Sequence, residues 1–309
     1  MVARFSLIVS VFTLSLLSAQ NARPGALVAT GYRLPTSLIT AAPGQLSMIS
    51  VSGIETKSGL PVKAEYGPTG YPTELKGLRL RVRSSSGASI DTQLAGLQQS
   101  GCAAIDTSCL PITSFTVVFP EDLPSGLTGT LMVSDNTTII AEFPFRAVSD
   151  NLHFLNSCDT TLIWASIFAI APDPSVCQPN IIQNGRLVQA NNPIQPGGGV
   201  AAYLYGGGAT VLRNDEFQRK ETAQDFDVHF DYRANAPGSR PVPGVSLIGK
   251  PFLSVGFGGG VYQVNFMIPP VPSGIQLPRC DGTIIRSNLT ITISGANSID
   301  SASFCVEPQ

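Results

Sequence analysis

Hydrophobic and polar positions alternate with a period of two along much of this chain, and nowhere is the 3.6-residue period of an amphipathic helix sustained. The cleanest case is Gln224–Tyr232, QDFDVHFDY. Phe226, Val228, Phe230 and Tyr232 take one face, and Asp225, Asp227, His229 and Asp231 take the other. Leu78–Arg83, LRLRVR, alternates as strictly, setting Leu78, Leu80 and Val82 against Arg79, Arg81 and Arg83. Further strands are expected within Ala42–Gly53, Thr113–Phe119, Leu127–Val133, Ile139–Val148, Gln195–Gly208, Val261–Gly274, Leu289–Ile293 and Ser303–Val306. Pro144, between Phe143 and Phe145, cannot donate to a ladder and implies an edge or a bulge there. The one short helix expected in the first half lies within Gln93–Thr107. Leu162–Ile170, LIWASIFAI, is apolar throughout and fits a buried strand or a helical turn equally.

Two of these strands run into the same turn. Thr116–Gly126 reads TVVFPEDLPSG and Val261–Gly274 reads VYQVNFMIPPVPSG. In Pro-Ser-Gly the proline presets φ, the serine can bond its own backbone and the glycine accepts φ > 0. Upstream, APGQLSMISVSG at Ala42–Gly53 is echoed by QPGGGVAAYLYGGG at Gln195–Gly208. Both echoes run in the same direction at nearly the same offset, which predicts a tandem duplication. The expected fold class is all-β, with two tandem β-sandwich domains spanning 20–148 and 149–309, the second carrying an insert at 213–249.

The N-terminus changes the compartment. Met1–Arg4 carries one positive charge, Phe5–Leu17 is apolar apart from Ser and Thr, and small or polar residues follow at Ser18, Ala19 and Gln20. That layout predicts a signal peptide over 1–19 and an exported chain. No later stretch is long and apolar enough to span a bilayer, so no membrane span is expected in the mature chain. Only 13% of residues are charged, the net charge is −2, and 30 Gly and 24 Pro are present. Short strands joined by tight turns fit this balance; a nucleic-acid partner, which calls for a basic excess on one face, does not. Export favours disulfides among Cys102, Cys109, Cys158, Cys177, Cys280 and Cys305. Six cysteines allow 15 pairings; neighbour pairing (102–109, 158–177, 280–305) is the simplest, since each pair brackets a local loop.

Candidate chemistry is sparse. Alternate strand residues sit roughly 7 Å apart, so Asp225, Asp227, His229 and Asp231 share one surface that a cation or other ligand could use. The plainer expectation is a solvated sheet face; a lesser option within it pairs these carboxylates with the Arg79/Arg81/Arg83 face at a domain interface. His153, between apolar residues, reads as a packed structural histidine. No GxSxG elbow, CxxC pair or phosphate-binding glycine loop occurs; Gly206–Gly208 and Gly258–Gly260 read as turns and bulges. Only Glu216 and Glu221 offer themselves as paired acids, and no catalytic residue, metal or cofactor is predicted. Asn136-Thr137-Thr138 and Asn288-Leu289-Thr290 match the glycosylation sequon.

Asn191–Gly208, Phe252–Gly274 (with Gly260, Tyr262, Gln263, Val264, Asn265, Pro269 and Pro272-Ser273-Gly274) and Ser287–Ile293 carry a family resemblance. They resemble an uncharacterised C-terminal domain family of secreted acidobacterial proteins of the Solibacter type, and Ala42–Gly53 resembles its companion upstream module. The resemblance implies secreted or surface-displayed β-sandwiches of immunoglobulin-like, IPT/TIG-like character. It implies no activity and transfers no catalytic residue. The six cysteines and the long 213–249 segment depart from the family pattern. The expected function is a structural or adhesive module facing the cell envelope or an extracellular protein or polysaccharide. The alternative is a carbohydrate- or cation-binding protein using 213–249.

Overall fold

The computed structural model describes residues 26–29, 38–55, 57–100, 111–157, 159, 179–189, 191–214, 218–233, 239–242, 249–253, 259–280 and 287–307. The leader, Leu162–Ile170 and Cys102, Cys109, Cys158 and Cys177 lie outside them. Among the described residues every regular element is a strand, and no helix occurs.

In the first half, β1 (Ala26–Ala29), β2 (Ile39–Ala41), β3 (Leu46–Ser52), β4 (Val62–Lys63), β5 (Leu78–Ser84) and β6 (Ser89–Asp91) are followed by β7 (Gln93–Ser100), β8 (Ile112–Val118), β9 (Thr128–Asp135) and β10 (Thr138–Ala147). They form two sheets, β1-β3-β8-β7-β4 and β2-β10-β9-β5-β6. Ile49, Val51, Leu97, Phe115 and Val117 from one sheet meet Leu80, Val82, Leu131, Val133 and Phe145 from the other in one core. This is the two-layer packing of a β-sandwich. Leu78, Leu80 and Val82 are buried as the alternation predicts, each contributing about 1.5–3 kcal/mol.

Two expectations fail here. Gln93–Thr107 holds no helix over its described part: Gln93–Ser100 is the strand β7. A register shift between Leu94 and Gly96 places Leu94 and Leu97 on the core side three residues apart, which imitates helical spacing. The Arg79/Arg81/Arg83 face does not pair with the acidic strand. Arg79 pairs with Glu74, Arg81 with Asp91 and Arg83 with Glu142 (3.0 Å), all within the first half. Pro144 sits where β10 is locally an edge, since the ladder from β10 to β2 begins only at Phe145; the bulge of this strand lies instead between Ile139 and Ala141.

The second half contributes β11 (His153–Phe154), β12 (Ile181–Gln183), β13 (Arg186–Leu187), β14 (Gly199–Tyr205), β15 (Thr210–Leu212) and β16 (Lys220–Thr222). After these come β17 (Asp227–Arg233), β18 (Ser239–Val242), β19 (Phe252–Leu253), β20 (Val261–Met267), β21 (Leu289–Ser294) and β22 (Ile299–Phe304). One sheet runs β13-β12-β14-β20-β19-β16-β15 with β11 beside β14, and the other runs β18-β17-β21-β22. Val200, Leu204, Tyr262 and Phe266 face Phe230, Tyr232, Ile291 and Phe304 across a second core. Cys280 and Cys305 form a disulfide at the end of this half.

The pairings of the two halves correspond. β3 pairs antiparallel with β8, and β14 with β20. β9 pairs with β5 and β10, and β21 with β17 and β22. Ala41 lies parallel to Ala147, and Ile194 parallel to Val306. Each Pro-Ser-Gly turn carries the chain from one sheet to the facing one. Both turns place glycine at positive φ (83° at Gly126, 79° at Gly274) and close with a 3.1 Å bond, Leu127 N–H to Pro124 O and Ile275 N–H to Pro272 O.

Candidate functional site

β17 holds the acidic face where the alternation put it. Phe226, Val228, Phe230 and Tyr232 are buried, Asp225, Asp227 and His229 are exposed and Asp231 is half-buried. Tyr232 donates its hydroxyl to Pro269 O at 2.5 Å, and burial pushes its pKa up to about 12. On the outer face His229 stands opposite Thr292, Asp231 opposite Thr290 and Asp227 opposite Ser294. Asp225 pairs with Lys250 at 2.9 Å. A flat strand fans its side chains outward, so these acids share a surface without converging on a point. No group of three or more His, Cys, Asp or Glu among the described residues is placed to hold a metal ion. Glu221 pairs with Arg213 at 2.8 Å, and Glu216 is outside the described residues. The segment 213–249 supplies β16, β17 and β18 to the two sheets.

The densest polar constellation lies elsewhere, along the connector Ser149–His153 between the two cores. Asp150 is fully buried and accepts hydrogen bonds from Ser298 Oγ (2.5 Å), Asn297 N–H (2.9 Å) and Ser149 Oγ (2.9 Å). Burial alone would raise its pKa; the bonds from Ser298, Asn297 and Ser149 together outweigh it and hold the carboxyl below its ordinary value. Asn151 donates its side-chain amide back to the first half, to Gln45 Oε1 (3.1 Å) and Thr40 O (3.3 Å). Its N–H donates to Gly206 O at 2.9 Å.

The distinctive runs of the sequence converge on this junction. Tyr262, from VYQVN, is buried and donates to Gly208 O at 2.6 Å, with Pro43 O of the APGQ turn at 3.4 Å. Gly206 and Gly208 have φ of 72° and 83°, and a Cβ on either would stand 2.1 Å from a connector carbonyl, that of Asn151 or Ser149. Gly207 lies under the Tyr262 ring, and a Cβ on Gly260 would strike Leu46 of the first half at 2.6 Å. The glycine runs mark close backbone approach, a sharper role than the turns and bulges expected of them. On the surface, Lys220 pairs with Glu121 at 2.8 Å across the same boundary.

His153, at the end of the connector, is 1% exposed. Its Nε2 lies 2.9 Å from Asp159 Oδ1 and its Nδ1 lies 3.1 Å from Asp300 Oδ2, while the Tyr205 ring is stacked on it at 6.1 Å. Burial alone would lower the imidazole pKa; the bonds to Asp159 and Asp300 and their charges win, raising it to about 9. Packed structural histidine is therefore half the description, because a carboxylate also faces each ring nitrogen. Asn288, from the second sequon, is buried and donates to Pro278 O (3.1 Å) and Val306 O (2.8 Å), so folding consumes it. Asn136 stands exposed in the β9–β10 turn.

No known family model matches the chain, and no curated protein matches it either.

Proposed function

We propose that this chain is an exported structural or adhesive module built from two tandem immunoglobulin-like β-sandwich domains, working at the cell envelope or outside the cell. The observation that carries this reading is the use to which the distinctive sequence is put. Tyr262, Asn151, Gln45, Gly206–Gly208 and Gly260 join one core to the other. Such a joint sets how two domains are presented to a partner, the property a spacer or adhesive unit requires. The matched strand pairings support a duplication, and the Cys280–Cys305 bridge suits an oxidising compartment. The resemblance to the secreted acidobacterial family points the same way.

A second reading, binding of a cation or carbohydrate through 213–249, draws on one observation: Asp225, Asp227, His229 and Asp231 share an outer face. Thermal melting with and without calcium, and across a panel of glycans, separates the two. The structural reading expects no change in melting temperature. A calcium-dependent rise of several degrees, lost in Asp225→Ala/Asp227→Ala, would establish the binding reading instead, because a native-state ligand stabilises by mass action.

A further inference from the structure

We propose that His153 is a two-position proton latch: charged, it ties Asn156, Asp159 and strand β22 to the connector; on losing its Nε2 proton it passes from Asp159 to Asn156 and frees Asp159.

The geometry favours a charged ring in the closed state. Each ring nitrogen faces a carboxylate oxygen, Nε2 at 2.9 Å and Nδ1 at 3.1 Å. A neutral imidazole carries only one N–H, so one lone pair would point at a half-buried carboxylate. Both carboxylates are held in place by further bonds. Asp300 Oδ2 accepts from Phe154 N–H at 2.6 Å, and Asp159 Oδ2 accepts from Asn156 N–H at 3.0 Å. Among the described residues, the titratable groups facing the ring are Asp159 from the turn, Asp300 from β22 and the Tyr205 phenol from β14.

The alternative partner is already in place. Asn156 Nδ2 lies 3.2 Å from His153 Nε2 and also donates to Phe154 O at 3.2 Å. An amide NH2 carries two hydrogens, so it can keep the carbonyl and still donate to a deprotonated Nε2. Among the described residues Asp159 has no such substitute once Nε2–H is gone. Because Asp159 also holds the Asn156 N–H, its release loosens the turn, whereas Nδ1–H stays on Asp300 and β22 remains attached. The asymmetry comes from Asn156 standing on one side of the ring only.

The direction with pH follows. The folded pKa, about 9, lies above the ordinary 6.5, so the stabilisation is fully present below about pH 6.5 and is lost as pH rises through about 9.

The test is ¹⁵N–¹H spectroscopy of the imidazole nitrogens in the full-length mature chain. The sequence holds only two histidines, so a His229→Gln variant assigns the signals. At pH 7 both His153 nitrogens should be protonated; above the transition Nε2 should become the unprotonated nitrogen and Nδ1–H persist. Exchange protection of the Asn156 amide should fall with the same midpoint while that of Phe154 is retained. Asp159→Asn should move the midpoint down towards 6.5. If that variant fails to fold, the wild-type ring signals decide alone. A neutral ring at pH 7, loss of the Nδ1 proton first, or equal loosening of Phe154 and Asn156 would overturn the proposal.

Discussion

Asp150 shows how much a single side chain can organise here. It is fully buried, and its partners at Asn297 and Ser298 lie at the far end of the second half. Asp150→Asn keeps the shape but points an amide at groups that need an acceptor, so urea unfolding at pH 7 should show a loss of about 1–3 kcal/mol. The pH profile carries a second signature. The folded carboxyl titrates below its ordinary 3.8, so its contribution is present above that value and is lost as pH falls through the lower folded one. Wild type and variant should therefore converge in acid, and parallel profiles would refute the assignment. None of this was legible from the residues alone. Ser-Asp-Asn at 149–151 looks like any polar turn, and a partner so distant in sequence leaves no local trace. His153 is only half an exception. Its apolar neighbours predicted burial, but the charge depends on Asp300 arriving from β22.

At the scale of the strand, alternation carried most of the fold. β5 and β17 were readable because each puts one face in a core and the other in solvent, and side chains switch faces at every step. β7 was misread because its bulge breaks that period where Leu94 and Leu97 turn inward. The two faces of β17 should respond oppositely to truncation. Phe230→Ala removes a fully buried ring packed 5.5 Å from Phe266 and should cost about 3–5 kcal/mol. Asp227→Ala, on the solvated face, should change stability by no more than about 0.5 kcal/mol. Denaturant titrations of the two variants check both figures. A large loss for Asp227→Ala would mean that the acidic face does structural work.

For the whole molecule, the junction decides whether the two cores behave as one cooperative unit. Tyr262 spans it, hydrogen-bonded to Gly208 O and near Pro43 O, and Asn151 reaches Gln45 and Thr40 from the connector. Calorimetry of the wild type should show one transition. Tyr262→Phe with Asn151→Ala should split it in two, the cores intact and uncoupled. Two transitions already present in the wild type would mean the joint carries little coupling energy. The repeated runs were visible in the sequence, but their meeting was not, since it depends on two cores being placed side by side.

The pairing of β2 with β10 also imposes a timetable. Ala41 finds its partner only at Ala147, and Leu46 of β3 only at Val118, so the first core cannot be completed until nearly 150 residues have left the ribosome. Chains dominated by such distant pairings fold in about milliseconds to seconds, far slower than local helices form. A nascent chain of this topology therefore stays unfolded longer than one built from local pairings. Under the exported reading proposed above, that delay would keep the chain unfolded until it reaches the side where Cys280 and Cys305 can be oxidised.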